Sequence, residues 1–391
     1  MKRILPLLLI SAASMQAYAV SPYLNKVWEY RPAPGQFVNL LPEYEEGDTE
    51  EDIISKAEEA ICFERMPGMI SLGAYGGYVT VAFDHPVVNA HGKYDFRIFG
   101  NSFVTDETTA SAEPGIVLVS RDVNGNGLPD DPWYELAGSE YNNPKTLHDF
   151  NISYFRPDPS ATPNPDGDNA AITDAHYIRF STNDPAMAEG YIARNVFHTQ
   201  SYWPEWLDDD TLSFSGALLP DNFTETDGVF SSAPFPWGYA DNQPNVDEKG
   251  FSLDWAVDDE GKPVVLTHAD FIRIYTAECR QMGHLGEEST EISGGEDLHP
   301  DAVYSPEWPE NPDVPGSVSR IEIADWALLT SHAGVLTLRL SETIEFNLYS
   351  TAGREAMRFS LAEGTHSIDI TSLPSGIYIL RGGSKTLKIT R

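Results

Sequence analysis

Cysteine is scarce in this sequence, and so is positive charge. Cys62 and Cys279 are the two cysteines among 391 residues, and their context suits neither a thiolate metal site nor a nucleophile. They allow one disulfide bond or two separately buried thiols. The chain has 60 Asp and Glu but 25 Lys and Arg, which gives a net charge of −35. This charge argues against nucleic acid and anionic membrane surfaces as partners, because phosphate binding needs a basic patch.

Long hydrophobic runs are missing after the N-terminus. Residues 4–13 form an apolar run behind Lys2 and Arg3, and Ala17 and Ala19 provide the small residues of a cleavage site. This pattern predicts a secretory signal peptide over residues 1–19. The run is shorter than the roughly 20 residues that cross a bilayer, and later segments are too short or too charged. We therefore expect export through the periplasm and no transmembrane segment.

Signatures of catalysis are also missing. The chain has no HExxH, GxSxG, GxxxxGK or GxGxxG motif, and its ten histidines form no pair at metal-ligand spacing. We therefore predict a protein that is not an enzyme and assign no catalytic residues. Asp and Glu are so abundant that a carboxylate pair for glycan cleavage is compatible with the composition. A glycan-cleaving enzyme stays open as the alternative.

What the sequence does contain is short segments with the period of two that is typical of β-strands. They lie at 78–83, 94–99, 115–120, 152–155, 177–181, 211–216 and 271–275. One segment, 50–62, has helical periodicity and acidic residues in its first turn. The pattern predicts a mainly β protein, with a large, acidic, jelly-roll-like β-sandwich with long loops over residues 20–304.

The amino-acid composition changes near residue 305. Prolines at every third position from Pro306 to Pro315 predict an extended linker over 305–319. Beyond it, alternating segments at 335–340, 344–349, 366–370, 377–381 and 386–390 predict a small C-terminal β-sandwich over 320–391. The sequences of 346–354, 368–378 and 385–391 resemble the type A sorting domain of the type IX secretion system. That resemblance implies passage through the outer membrane to the cell surface or the extracellular space.

Oxygen-bearing side chains alternate in the segment 122–131. Asp122, Asn124 and Asn126 take positions one, three and five, a glycine takes position six and Asp130 takes position nine, as in the first part of a calcium loop. Trp133 replaces the glutamate of an EF-hand at position twelve. The sequence therefore predicts a structural Ca²⁺ site, or else a hairpin turn that binds nothing. The candidate ligands are Asp122, Asn124, Asn126, Asp130, Asp131 and Glu135.

Two further features suggest binding. Five carboxylates fall within residues 287–297, and they indicate either a second metal site or, as the favoured interpretation, a solvated loop. Aromatic rings beside Asp and Asn are typical of sugar platforms, although rings in a β-sandwich also form its core. The candidate ligand-binding residues are Tyr202, Trp203, Trp206, Trp237, Tyr239, Asp241 and Asn242.

The large domain also resembles a widespread family of bacterial cell-surface proteins over residues 28–299. The segments that carry the resemblance are 70–84, 95–103, 113–117, 133–139, 237–242, 270–275 and 286–291. The resemblance implies a secreted, jelly-roll-like domain and brings no catalytic residues with it.

Together these observations predict a Ca²⁺-stabilised, surface-exposed binding protein. Its ligand would be an extracellular glycan or a scavenged nutrient or cofactor such as a corrinoid. The type IX secretion machinery and a TonB-dependent transporter are the expected protein partners. A structural or adhesive surface component is a further alternative.

Overall fold

The computed structural model describes residues 20–302 and 326–390, apart from short gaps at 107–108, 227–228, 333–334, 341–342, 351–353, 363, 375 and 383–384. The predicted signal peptide over 1–19 and the predicted linker over 305–319 lie outside the described residues. So does the predicted start of the C-terminal domain at residue 320.

The first described range contains twenty strands and one α-helix. The strands are β1 (Lys26–Arg31), β2 (Ile70–Ser71), β3 (Tyr78–Ala82), β4 (Val87–Val88), β5 (Phe96–Phe99), β6 (Phe103–Asp106), β7 (Thr109–Ser111), β8 (Gly115–Ser120), β9 (Trp133–Leu136), β10 (Leu147–Phe155), β11 (Ile172–Thr182), β12 (Glu189–Asn195), β13 (Thr211–Leu218), β14 (Phe223–Thr226), β15 (Val229–Ser232), β16 (Ala256–Val257), β17 (His268–Ala269), β18 (Phe271–Thr276), β19 (Glu291–Ile292) and β20 (Gly294–Asp297). The helix is α1 (Glu50–Ile61), and 3₁₀ turns lie at Pro185–Met187, Asn245–Asp247, Leu253–Trp255 and Gly283–Leu285.

Two antiparallel sheets form the main body. One has the order β1-β3-β18-β8-β9-β16 and the other the order β12-β11-β10-β13. Apolar side chains from both sheets share one core, and tyrosines connect them. The Tyr275 hydroxyl in β18 bonds the Ala217 backbone in β13, and the Tyr154 hydroxyl in β10 donates to the Tyr75 carbonyl. The predicted mainly β fold is confirmed, whereas the jelly-roll connectivity stays a prediction.

Helix α1 begins with a capping box. The Thr49 side chain accepts from the Asp52 backbone N–H, and the Asp52 carboxylate accepts from the Thr49 backbone N–H. These bonds satisfy amides that lack intrahelical partners. Ile53, Ala57 and Ile61 form the buried face, so the predicted helix over 50–62 is present with its end one residue earlier.

The C-terminal strands are β21 (Trp326–His332), β22 (Val335–Leu340), β23 (Ile344–Ser350), β24 (Glu355–Leu361), β25 (Gly364–Asp369), β26 (Ile377–Gly382) and β27 (Lys385–Thr390). They form the antiparallel sheets β21-β22-β25 and β24-β23-β26-β27. Alternate residues of β22, namely Leu336, Leu338 and Leu340, share a hydrophobic cluster with Phe346 and Leu380 of the second sheet. This cluster is separate from the core of the first range.

Two chain-wide features complete the fold. Cys62 and Cys279 are both free, which corresponds to the second of the two interpretations of the cysteines. No helix among the described residues is long and apolar enough to span a membrane.

Candidate functional site

The predicted calcium loop connects β8 to β9 and is held together by its own side chains. Asp122 accepts from the backbone amides of Asn126 and Gly127 at 3.0 and 2.8 Å. Asp130 accepts from the side-chain amides of Asn124 and Asn126, at 3.0 Å from Asn124 and 2.9 Å from Asn126. Since such bonds shape a tight turn with or without an ion, the geometry is compatible with both interpretations of the loop.

The remaining two predicted ligands are placed differently. Asp131 accepts from the Val123 amide at 3.0 Å and so belongs to the loop. Glu135 lies in β9, where its backbone pairs with Leu118 and Val257. Burial raises the pKa of Glu135 to about 7. Hydrogen bonds join the other five candidate ligands to the loop, and within the described residues none of these bonds involves Glu135. Glu135 is therefore not part of the loop.

The first aromatic group lies in the core. Tyr202, Trp203 and Trp206 are 0%, 1% and 9% exposed, respectively, and belong to the main hydrophobic cluster. Rings buried to this degree provide packing and no surface for a ligand, so their prediction as ligand-binding residues is corrected. The physical reason is that the segment packs against β1 and the residues before α1: Trp206 stacks on Tyr30 with centroids 6.0 Å apart and lies 6.3 Å from the Tyr44 ring.

In the second aromatic group Trp237 is half-buried, whereas Tyr239 is 6% exposed and belongs to the main hydrophobic cluster. A shallow cleft is lined by Trp237, Tyr239 and Asp241, together with Phe99, Phe251, Gln243, Asn245 and Lys249. The half-buried Trp237 packs against the half-buried Trp255 with centroids 4.7 Å apart, and Tyr94 meets Trp255 edge to face at 5.9 Å. The structure therefore brings three of the predicted ligand-binding residues together, although the burial of Tyr239 leaves Trp237 as the accessible ring among them. Trp255 and Tyr94 pack beside Trp237, outside the lining of the cleft.

Asn242 has a different role from its neighbours. It is 1% exposed, accepts from the Phe235 amide at 2.7 Å and donates to the Phe235 carbonyl at 2.8 Å. Both ends of the side chain are thus used to close the loop that carries Trp237. The prediction that Asn242 binds ligand is corrected, because its polar groups are consumed within the fold.

The acidic segment that follows the 3₁₀ turn at Gly283–Leu285 is buried rather than solvated. Glu287, Glu288 and Glu291 are 4%, 1% and 4% exposed, respectively. This result contradicts the favoured interpretation of a solvated loop. Charged groups taken out of water must be paired, protonated or bound to a cation.

Glu288 is paired with arginine. Arg280 forms salt bridges with Glu288 and Asp221 and contacts Glu278 at 2.8 Å. Burial raises the pKa of Glu288, and the guanidinium opposes that rise. We interpret this group as a structural ion network, because each acid has a basic partner.

Glu291 lies in a second group, with Glu113 and Asp241. One carboxylate oxygen from each of the three side chains lies within 4.8 Å of the others. Glu113 precedes β8, Asp241 ends the Trp237 loop and Glu291 lies in β19, so three distant segments meet here. Asp241 has a φ of +48°, and its Oδ1 accepts from the amides of Asn101 and Ser102 at 2.7 and 2.8 Å.

Their mutual proximity and burial make these acids hard to ionise. Burial and then the charges of Glu291 and Asp241 raise the pKa of Glu113 well above its usual range. Burial and then the charge of Asp241 raise the pKa of Glu291 to about 8. Burial raises the pKa of Asp241 to about 6, against three backbone hydrogen bonds that lower it. Without a counter-charge, the group would hold protons at neutral pH.

Sequence reasoning missed this group as a unit. The acidic segment 287–297 was identified as a possible metal site, but Glu113 carries no local motif. The one local signal was the position of Glu113, an isolated acid just before the strongly apolar strand β8. An unpaired charge is energetically costly at such a place, so a partner or an ion could have been expected there.

The C-terminal strands form a small antiparallel β-sandwich whose hydrophobic cluster is separate from the core of the first described range. The protein therefore has a β-domain appended at its C-terminal end. Residues 332–391 match the family model of the secretion system C-terminal sorting domain. The predicted type IX sorting domain is therefore confirmed, and the protein is one that is exported to the cell surface or the extracellular space by that machinery. No curated protein is similar enough to the chain to register as a relative.

Proposed function

We propose that this exported protein is a binding protein that holds an extracellular ligand in the cleft at Trp237. The observation that carries the proposal is the partly exposed set of rings formed by Trp237, Trp255 and Tyr94. Aromatic rings at a surface provide a large contact area at low cost in conformational entropy. The Gln243 amide and the Lys249 ammonium line the same cleft. Each donates one N–H to a backbone carbonyl, at 2.7 Å to Phe235 and 3.2 Å to Pro236, and each has a further N–H donor to offer.

Two classes of ligand have the matching chemistry. A glycan presents apolar C–H faces to the rings and hydroxyl groups to the amide and ammonium groups. A scavenged cofactor such as a corrinoid presents a large ring system with amide side chains. The cleft is shallow, which favours a ligand that lies on the surface, and we propose that a TonB-dependent transporter receives it. The route begins with cleavage of the predicted signal peptide in the periplasm.

The test is ligand binding by the Trp237→Ala variant. Titration calorimetry against a panel of soluble polysaccharides and cobalamin should identify a ligand for the unaltered protein. The variant should bind that ligand at least about tenfold more weakly, which corresponds to about 1.4 kcal/mol. Phe197→Ala is the matched control, because Phe197 is 63% exposed and lies outside the cleft lining. If the Trp237→Ala variant and the unaltered protein bind the ligand with equal affinity, the cleft at Trp237 is excluded as the binding site.

Calcium binding at the loop of residues 122–131 is a separate part of the proposal. The convergence of Asp122, Asn124, Asn126, Asp130 and Asp131 supports it, since these groups supply the oxygen ligands that Ca²⁺ prefers. Addition of Ca²⁺ to the metal-free protein should raise the melting temperature, and Asp122→Ala should reduce that rise. An unchanged rise in Asp122→Ala would exclude the loop as the source.

The alternative of a glycan-cleaving enzyme makes a different prediction. A carboxylate pair must reach the glycosidic bond, whereas Asp241 and Glu291 are 3% and 4% exposed. This burial favours binding over cleavage. Release of reducing ends from a bound polysaccharide would support the enzyme instead, and self-association without any small ligand would support a structural or adhesive role.

A further inference from the structure

The group of Glu113, Asp241 and Glu291 combines three acids with no basic partner. No Lys, Arg or His of the described residues forms an ion pair with any of them, in contrast to Glu288 with its arginine. Carboxylate oxygens of Glu113 and Glu291 lie within 4.8 Å of each other, and the charge of Glu291 contributes to the raised pKa of Glu113. Two carboxylates at such a distance repel each other unless a proton or a cation lies between them.

A second observation points to a ligand for this group. Glu291 is 4% exposed, its Oε2 accepts from the Asn101 side chain at 3.3 Å, and its Oε1 has no hydrogen-bond partner among the described residues. The Ser71 and Ser289 hydroxyls lie near enough to Glu291 to lower its pKa, but they bond each other at 2.7 Å and leave Oε1 without a bond of hydrogen-bond geometry. A buried carboxylate oxygen without a partner is costly, and most such atoms in folded proteins have one.

Geometry and ligand chemistry agree with a divalent cation. Two oxygens bound to one Ca²⁺ at about 2.4 Å lie at most about 4.8 Å apart. One oxygen from each of the three carboxylates lies within 4.8 Å of the others, so one ion can reach all three. Asp241 uses both oxygens for backbone amides but retains lone-pair capacity, since an ionised carboxylate offers about four acceptor positions. Hydroxyl oxygens of serine are available as further ligands.

We propose that the half-buried Glu113 and the buried Asp241 and Glu291 form a binding site for a divalent cation of the Ca²⁺ type, distinct from the loop of residues 122–131. A cation at this site would also fix the position of Asp241 and so stabilise the ligand cleft. Asp241 lines that cleft and lies four residues after Trp237. A Cβ at Gly100 would stand 2.1 Å from Asp241 Oδ1, which shows how closely the backbone approaches this carboxylate.

The experiment measures Ca²⁺ stoichiometry in the purified mature protein after removal of metal by chelation. Equilibrium dialysis with elemental analysis counts the bound ions, and calorimetry gives their affinities. Glu291→Gln should lose one ion per chain, or weaken it at least about tenfold, because an amide keeps the shape and removes the charge. Asp122→Asn is the control that addresses the loop, and it should leave the ion at Glu291 unchanged.

The outcomes separate this site from the loop and from the ligand proposal. Glu113→Gln is a second variant in case Glu291→Gln does not fold, and its Ca²⁺-free circular dichroism spectrum and melting temperature report folding. The proposed site is supported if either folded glutamate variant loses one ion and the Asp122→Asn variant retains that ion. The proposal is overturned if the unaltered protein binds no Ca²⁺ at millimolar concentration, or if both glutamate variants bind as many ions as it does with equal affinity.

Discussion

Glu287 allows a direct test of how burial changes the pKa of an acid in this fold. Its side chain is 4% exposed, Oε1 accepts from the Gln36 amide at 2.5 Å, and Oε2 has no partner among the described residues. Burial raises the pKa of this carboxyl to about 8, and the hydrogen bond from Gln36 opposes the rise. The folded protein at neutral pH therefore holds Glu287 in its neutral form.

The consequence for stability follows from proton linkage. The unfolded chain releases this proton near pH 4.5, whereas the folded chain keeps it up to about pH 8. Between those values the folded state binds the extra proton, so the free energy of unfolding falls as the pH rises, by about 1.4 kcal/mol per pH unit. This contribution is fully present below the unfolded value, and from pH 5 to pH 7.5 its loss amounts to about 3 kcal/mol.

Glu287→Gln removes that dependence, because glutamine is neutral at every pH and has nearly the same shape. We expect the variant and the unaltered protein to have similar stability at pH 5. At pH 7.5 the variant should be more stable by about 3 kcal/mol. The other buried acids are present in both proteins, so their titration cancels in the difference.

The assay is urea unfolding at several pH values between 5 and 7.5, with constant ionic strength and a chelator present. Glu225→Gln is the control, because Glu225 is an exposed acid in β14. Its stability difference should stay near zero across the range. A difference for Glu287→Gln that does not grow with pH, or a variant that is less stable at pH 7.5, would refute the reasoning.

Three further predictions concern packing, backbone conformation and export. Trp203→Ala should lower the free energy of unfolding by about 3–5 kcal/mol in urea titrations, since the ring is 1% exposed in the core. Gly73→Ala should prevent correct folding, because φ is +70° and the new Cβ would stand 2.0 Å from the Ala33 carbonyl oxygen. Gly92→Ala, at φ +74° in open space, should cost only about 1 kcal/mol in the same titrations. Deletion of residues 332–391 should leave the protein inside the cell, as measured by fractionation and surface proteolysis, and export of the truncated chain would contradict the role of the sorting domain.

Local periodicity was sufficient for much of the fold. Strands at 115–120 and 335–340 have the predicted bounds, because alternate apolar residues and flanking turn residues are local signals. Strand β24 (Glu355–Leu361) was missed, since most of its side chains are exposed or half-buried and its apolar alternation is weak.

The candidate sites depended on contacts that local patterns do not contain. The rings of Trp203 and Trp237 stand in similar Pro-rich aromatic segments, yet one is in the core and the other lines a cleft. The burial of Glu291 depends on its pairing with Ser71, which lies 220 residues earlier in the chain. A single sequence does not reveal that pairing, so an acidic segment resembles any solvated loop.

Export of this protein determines whether its buried acids meet Ca²⁺. The sorting domain carries this protein to a compartment where Ca²⁺ is plentiful. An unpaired group of three carboxyls destabilises the fold as the pH rises, and a bound divalent cation would reverse that effect by neutralising the group. The protein would then be more stable outside the cell than in a compartment poor in Ca²⁺, with its ligand cleft fixed through Asp241 only after arrival. This coupling predicts that affinity at the Trp237 cleft falls when Ca²⁺ is removed, even though no cation contacts the ligand there.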